Sequence, residues 1–133
     1  MNKEELMKAS DEARALSYSP YSNFKVGAAI LLKDGTIIKG ANIENSSYGL
    51  CMCAERNTVY RTLLSGYKVE DMLALALCAD ADELPYPCGA CRQVLSELFP
   101  LDAPVIVCNT KGKFLETSVR ELLPYAFGKD NLK

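Results

Sequence analysis

Met72-Leu73-Ala74-Leu75-Ala76-Leu77-Cys78 and Val105-Ile106-Val107-Cys108 are two short apolar runs, and Cys88-Gly89-Ala90-Cys91-Arg92-Gln93-Val94-Leu95-Ser96-Glu97-Leu98 lies between them. Runs this short, without polar alternation, suit strands buried on both faces. Pro85 and Pro87 stop the first run, and the segment after them has the pattern of a helix. Strand, helix and strand in that order predict a right-handed crossover with the two strands parallel. This unit places the chain in the α/β class.

Working outward, residues 53–64 carry Ala54, Val59 and Leu63 at helical spacing, and the polar stretch 42–49 delivers the chain to that helix. Residues 24–32 are apolar and in places β-branched, Asp34-Gly35 signals a hairpin, and 36–40 return as a second, antiparallel strand. At the front, Leu6, Ala9, Ala13 and Leu16 share one face of a helix over 3–17, which Ser19-Pro20-Tyr21-Ser22 breaks. At the back, Lys111-Gly112-Lys113 makes a turn and Phe114-Leu115 a brief strand. Ser118-Val119-Arg120-Glu121 then has the form of a capping box opening a short helix before Pro124. The order α-β-β-α-β-α-β-β-α predicts a three-layer α/β/α architecture with a mixed central sheet of about five strands and helices on both faces. No internal repeat interrupts it.

Bulk properties agree with an ordinary globular chain. At 133 residues, 49% hydrophobic and 24% charged, it is expected to form a single domain over 1–133 that buries roughly two thirds of its unfolded surface. Fifteen basic against 17 acidic residues give a net charge of −2 and no basic stripe, so a nucleic-acid backbone has little to bind and a small ligand is expected. The opening residues are charged, and no apolar run approaches the roughly 18 residues needed to span a bilayer, so a cytoplasmic, membrane-free protein is expected. In that reducing setting the six cysteines favour thiol chemistry over disulfides, and Cys51, Cys78 and Cys108 are expected to be buried thiols.

The other three cysteines form a pattern. Cys88 and Cys91 are three positions apart, so in the first turn of a helix both sulfurs point to one side. Cys53 stands at the start of the earlier helix, where the helix dipole stabilises a thiolate. Three cysteines leave the fourth corner of a zinc tetrahedron for water, and Glu55, two residues from Cys53, can act as a base on it. The chain has no histidine to do either job. Two plainer alternatives exist. A Cys-x-x-Cys can be a redox pair, which leaves Cys-Ala-Glu unexplained, or half of a structural zinc site, which would need Cys51 as fourth ligand. Three thiolates also leave Zn²⁺ with a surplus negative charge; Arg56 can offset it by donating hydrogen bonds to the sulfurs, or can be an ordinary exposed arginine.

Cys53-Ala54-Glu55-Arg56 together with Pro87-Cys88-Gly89-Ala90-Cys91-Arg92-Gln93 closely resembles the cytidine deaminase family in its short, three-cysteine form. The likeness extends to Ser22-Asn23-Phe24-Lys25-Val26-Gly27-Ala28-Ala29, to Asn42-Ile43-Glu44-Asn45 and to Leu122-Leu123-Pro124-Tyr125-Ala126-Phe127-Gly128. It implies hydrolytic deamination of cytidine and 2′-deoxycytidine to uridine and 2′-deoxyuridine, with release of ammonia, in pyrimidine salvage. It implies one Zn²⁺ per subunit on Cys53, Cys88 and Cys91, with Cys53 in the place other zinc deaminases give to histidine, and Glu55 as proton shuttle. By the same resemblance Asn42 and Glu44 hydrogen-bond the ribose hydroxyls, Phe24 packs on the nucleoside ring, and the backbone at Ala54 and Cys88 faces the pyrimidine. Phe127 would reach a neighbouring subunit's site and Tyr48 would line it, in a homotetramer with shared active sites. Gly128-Lys129 departs from the Gly-Pro of many relatives. Among rivals, Asn42-Ile43-Glu44 and Phe127 favour a plain nucleoside over a blasticidin-type antibiotic. Deoxycytidylate deaminases usually carry the histidine ligand and must hold a phosphate, and a non-enzymatic zinc module would need a fourth protein ligand.

Overall fold

The computed structural model describes residues 2–132. Its organising element is the hairpin of Val26–Leu32 (β1) and Ile37–Ala41 (β2), paired antiparallel with Leu31 opposite Ile37 and Gly27 opposite Ala41. The turn works because Gly35 adopts φ 89°, which glycine reaches without strain, and donates its N–H to the Leu32 carbonyl. Met72–Ala79 (β3) lies antiparallel on the other side of β1, and Val105–Asn109 (β4) runs parallel to β3. Phe114–Thr117 (β5) closes the edge antiparallel to β4. The order β2-β1-β3-β4-β5 is therefore the expected mixed five-stranded sheet.

Alternation along these strands divides the core into two layers. Ala29, Ala74, Ala76 and Ile106 pack with Leu6 and Ala9 of the helix Lys3–Ala13 (α1). Ala28, Ile30, Leu75, Leu77, Val105 and Val107 pack on the opposite face with Val59 of Ala54–Leu64 (α2), Leu95 of Gly89–Leu98 (α3) and Val119 of Val119–Leu122 (α4). Both layers are buried, which is why the strands read as unbroken apolar runs. Cys78 and Cys108, in register on β3 and β4, are buried thiols as expected.

Two glycines set how closely helices approach the sheet. A Cβ on Gly27 would fall 2.2 Å from the Ser10 carbonyl oxygen and 2.6 Å from the Arg14 nitrogen, so α1 lies directly on β1. A Cβ on Gly40 would fall 2.3 Å from Thr58 Oγ1 and 3.0 Å from its Cα, so α2 lies directly on β2. Thr58, buried at that contact, and Thr62, buried one turn further on, return their hydroxyls to the Ala54 and Thr58 carbonyls at 2.7 Å. These contacts fix the height of α2, and with it the position of Cys53.

Three boundaries differ from expectation. The first helix ends at Ala13 and tightens into a 3-10 turn at Arg14–Leu16, which turns Leu16 off the apolar stripe and leaves it 54% exposed. β1 begins at Val26, not Phe24, because the Asn42 side chain takes the Val26 N–H and donates to the Phe24 carbonyl, replacing a strand partner. At α4 the Ser118 hydroxyl accepts from the Glu121 N–H at 3.3 Å, but the Glu121 carboxylate turns to the Thr117 hydroxyl, so only half of a capping box forms. Among the described residues all cysteines are free, and no helix is long and apolar enough to cross a membrane.

Candidate active site

Two helix starts meet at the same end of the sheet. Cys53 is the N-cap of α2 (φ −72°, ψ 155°) and Cys88 the N-cap of α3 (φ −67°, ψ 167°), extended residues from which the chain turns into a helix. Neither side chain caps its own helix, so both sulfurs are free to face each other. Cys91, buried one turn into α3, joins them: Cys53 Sγ lies 3.8 Å from Cys88 Sγ, Cys88 Sγ lies 3.4 Å from Cys91 Sγ, and all three sulfurs fall within 4.8 Å of one another. A tetrahedral zinc with Zn–S bonds of about 2.3 Å spaces its sulfurs about 3.8 Å apart, so the cluster has the donors and the spacing that zinc takes. The separations are far beyond the roughly 2.05 Å of a disulfide.

Cys51 stands outside this group. It is half-buried where a buried thiol was expected, because the 45–51 loop folds back on itself: Cys51 Sγ accepts the Asn45 N–H at 3.3 Å and its thiol donates to the Asn45 carbonyl at 3.4 Å. A closed four-cysteine site is not assembled.

Charge is organised around the sulfurs. The Cys53 thiol is pushed down to about 5, first by a hydrogen bond from Cys91 and then by the Arg56 guanidinium, whose Nη2 sits 3.5 Å from Cys53 Sγ. The Cys91 thiol is held above its ordinary value, chiefly because it donates to Cys53. Arg56 also faces Cys91, and its Nε is the one buried side-chain nitrogen or oxygen without a hydrogen-bond partner among the described residues. Three thiolates around a metal would give the guanidinium further charged acceptors. Arg56→Ala is expected to weaken zinc retention and to slow turnover about tenfold, from the loss of one charge-assisted contact. Zinc content and kcat measured together check it, and wild-type values for both would remove the role.

Glu55 stands two residues after Cys53, in the first turn of α2, and is 4% exposed. Burial pushes its carboxyl from an ordinary 4.5 up to about 7, and the negative charge of Cys53 adds to the shift. A carboxyl tuned there can take up and release a proton near neutrality.

The carboxyl lies in the wall of a cavity of about 280 Å³ that also gathers Phe24, Asn42, Glu44, Ala54, Cys53 and Cys88. Asn42 Oδ1 accepts from the Ser17 hydroxyl at 2.6 Å and the Val26 N–H at 2.9 Å, while its Nδ2 donates to the Phe24 carbonyl at 2.8 Å. Glu44 is held by the Tyr21 and Ser22 N–H groups, both at 3.1 Å, and by the Ser22 hydroxyl, which lowers its carboxyl below the usual range. Tyr48 and Phe127 do not line this cavity; they are 83% and 59% exposed, and Gln93 Nε2 donates to the Phe127 carbonyl at 2.9 Å. Sequence reasoning missed Ile43, Met52 and Tyr86 in the wall. The rigid Pro85-Tyr86-Pro87 run beside the metal cysteines was the available signal for Tyr86.

Residues 1–108 match the family model for the cytidine and deoxycytidylate deaminase zinc-binding region. The chain is 47% identical over 132 residues to the cytidine deaminase of Halalkalibacterium halodurans, covering 99% of this chain and 98% of the relative. It is also 47% identical over 132 residues to that of Sporosarcina psychrophila, with 99% and 96% covered. Among solved structures, cytidine deaminase from Burkholderia pseudomallei superposes with a TM-score of 0.92 at 44% identity, covering 96% of this chain and 100% of that one. The enzyme from Mycobacterium tuberculosis superposes with a TM-score of 0.79 at 36% identity, over 96% and 98%.

Proposed function

The chain belongs to the cytidine and deoxycytidylate deaminase family, and from that premise we propose that it hydrolyses cytidine and 2′-deoxycytidine to uridine and 2′-deoxyuridine with release of ammonia. The observation that carries this is a three-thiol cluster at two helix starts with a buried, raised-pKa carboxyl beside it, in a cavity that also holds an aromatic ring, an amide and an ionised carboxylate.

Cys53, Cys88 and Cys91 would hold the zinc, which when bound supplies the Lewis acidity that makes water a nucleophile near neutral pH. Glu55 does the proton work. It takes one proton from water as the oxygen bonds C4 of the pyrimidine and delivers it to N3, where it stays. It then moves the second proton from the new C4 hydroxyl to the exocyclic nitrogen, which departs as ammonia while C4 becomes a carbonyl. No histidine exists to share these transfers.

Asn42 and Glu44 divide the reading of the sugar. The Asn42 oxygen already accepts twice and Nδ2 gives one of its two hydrogens to the Phe24 carbonyl, so one amide donor is left to offer, and an ionised Glu44 only accepts. The pair is complementary to a hydroxyl that donates to one and accepts from the other. Phe24 is 44% exposed at the cavity, consistent with a ring that packs on a base.

A homotetramer with shared sites is part of this proposal. It is supported by the exposure of Tyr48, Leu50 and Phe127, and by the 3-10 turn Tyr48–Leu50 running directly into Cys51 and Met52 of the cavity wall. In it Phe127 and Tyr48 complete a neighbour's site. We further assign residues 1–133 to one deaminase domain working in the cytoplasm, in pyrimidine salvage.

Incubation of zinc-loaded protein with cytidine tests the function. Ultraviolet absorbance on the long-wavelength side of the cytosine band should fall as uridine forms, with one ammonia released per turnover. A folded, zinc-loaded protein that leaves cytidine unchanged would refute it.

A further inference from the structure

Residues 17–25, between the 3-10 turn Arg14–Leu16 and β1, form no regular element but hold two parts of the cavity wall. The Tyr18 N–H donates to the Asn42 carbonyl at 3.0 Å and the Glu44 N–H to the Tyr18 carbonyl at 2.8 Å, so this segment is zipped along 42–44. Three residues later it grips the Glu44 side chain. Oε1 accepts two backbone N–H groups, from Tyr21 and Ser22, and Oε2 accepts the Ser22 hydroxyl.

The Ser22 oxygen has a second task. It accepts the Phe24 N–H at 3.0 Å, which is possible because the intervening Asn23 adopts φ 56°, a left-handed conformation that asparagine tolerates better than most residues. The Asn23 N–H is tied to the Ser19 carbonyl at 3.0 Å, which holds that conformation. One hydroxyl therefore joins the backbone of Phe24 to the carboxylate of Glu44.

We propose that Ser22 is a positioning residue for nucleoside binding, acting through Glu44: its hydroxyl locks the carboxylate in the orientation that receives a sugar hydroxyl. The proposal rests on the assignment of Glu44 to the sugar made above, with the 3′-hydroxyl, which cytidine and 2′-deoxycytidine both carry, as the group it receives. Oε1 is occupied by two N–H donors, whereas Oε2 has one protein donor and keeps a lone pair for the substrate. A glutamate has three side-chain torsions to fix, and without the Ser22 hydroxyl the carboxylate can swing about its Oε1 contacts. The Ser22 bond is also the largest influence keeping Glu44 ionised. Ser22 itself is exposed, so its hydroxyl is not a core requirement.

The test compares zinc-loaded wild type, Ser22→Ala and Ser22→Thr on cytidine and on 3′-deoxycytidine, with zinc content and thermal unfolding recorded for each. Ser22→Ala should raise KM for cytidine about tenfold, the loss of one hydrogen bond to a charged group, with kcat unchanged. Ser22→Thr, which keeps a hydroxyl, should recover most of the loss. On 3′-deoxycytidine the Ser22→Ala penalty should collapse, because Glu44 then has nothing to receive. An unchanged KM for cytidine, or an equal penalty on both substrates, overturns the role of Ser22. Wild type that binds 3′-deoxycytidine as well as cytidine overturns the assignment of Glu44 itself, and this proposal with it.

Discussion

Glu55→Gln is expected to yield a folded protein that retains zinc yet loses about 10⁴-fold in kcat on cytidine, the upper range for a positioned acid–base group. Glutamine keeps the shape and can hydrogen-bond, but it cannot carry a proton. Zinc should remain because the three sulfurs, and not the carboxylate, form the ligand cluster. Stability supplies an independent readout, and its sign follows from the raised pKa. Burial lifts the carboxyl from 4.5 to about 7, so its stabilising contribution is complete below pH 4.5 and is lost as pH rises through 7. In zinc-free protein at pH 8 the wild type buries a charge that Glu55→Gln does not, so the variant should unfold at no lower a temperature. Turnover, bound zinc and the unfolding midpoint decide the matter. Substantial residual turnover would defeat the proton-shuttle role.

Stripping the metal with a chelator should abolish turnover, and adding Zn²⁺ back should restore it. Cys53, Cys88 and Cys91 come from two helices and meet only in the folded chain, so metal binding and folding are linked and the stripped protein should also unfold at lower temperature. Binding must release protons, because Cys91 is held protonated while Cys53, near 5, is already ionised at neutral pH. Zinc affinity should accordingly weaken as the solution is made acidic. Activity after each step, with metal content measured alongside, checks the expectation; full activity in protein shown to be metal-free would overturn it.

How much of this was legible beforehand depended on range. The strands 72–79 and 105–109 announced themselves because residues buried on both faces admit few polar side chains. The chelating pair Cys88 and Cys91 was equally plain, since a three-residue spacing meets on one side of a helical turn. Leu16 misled because helical periodicity does not reveal where a helix tightens and leaves the sheet. Phe24 misled because a strand-like residue can lose its ladder partner to a side chain from elsewhere, in this case Asn42. Cys51, expected to be buried, misled because its partner is the backbone of its own loop, which leaves it half-buried.

Local pattern by itself determined the order of helices and strands, the mixed α/β architecture and which three thiols and which carboxylate were the candidates for the chemistry. Those properties follow from backbone periods and short spacings, which any segment expresses without the rest of the chain. Tertiary structure alone decided that Cys53 meets Cys88 across 35 residues, that the Arg56 guanidinium is brought against the Cys53 sulfur with its Nε buried, and that Ser22 grips Glu44 across 22 residues. Such contacts depend on strand register, on helices seated against Gly27 and Gly40, and on the burial of Glu55. None of these exists until distant segments have packed, which is why the carboxyl could be named from sequence while its proton affinity could not.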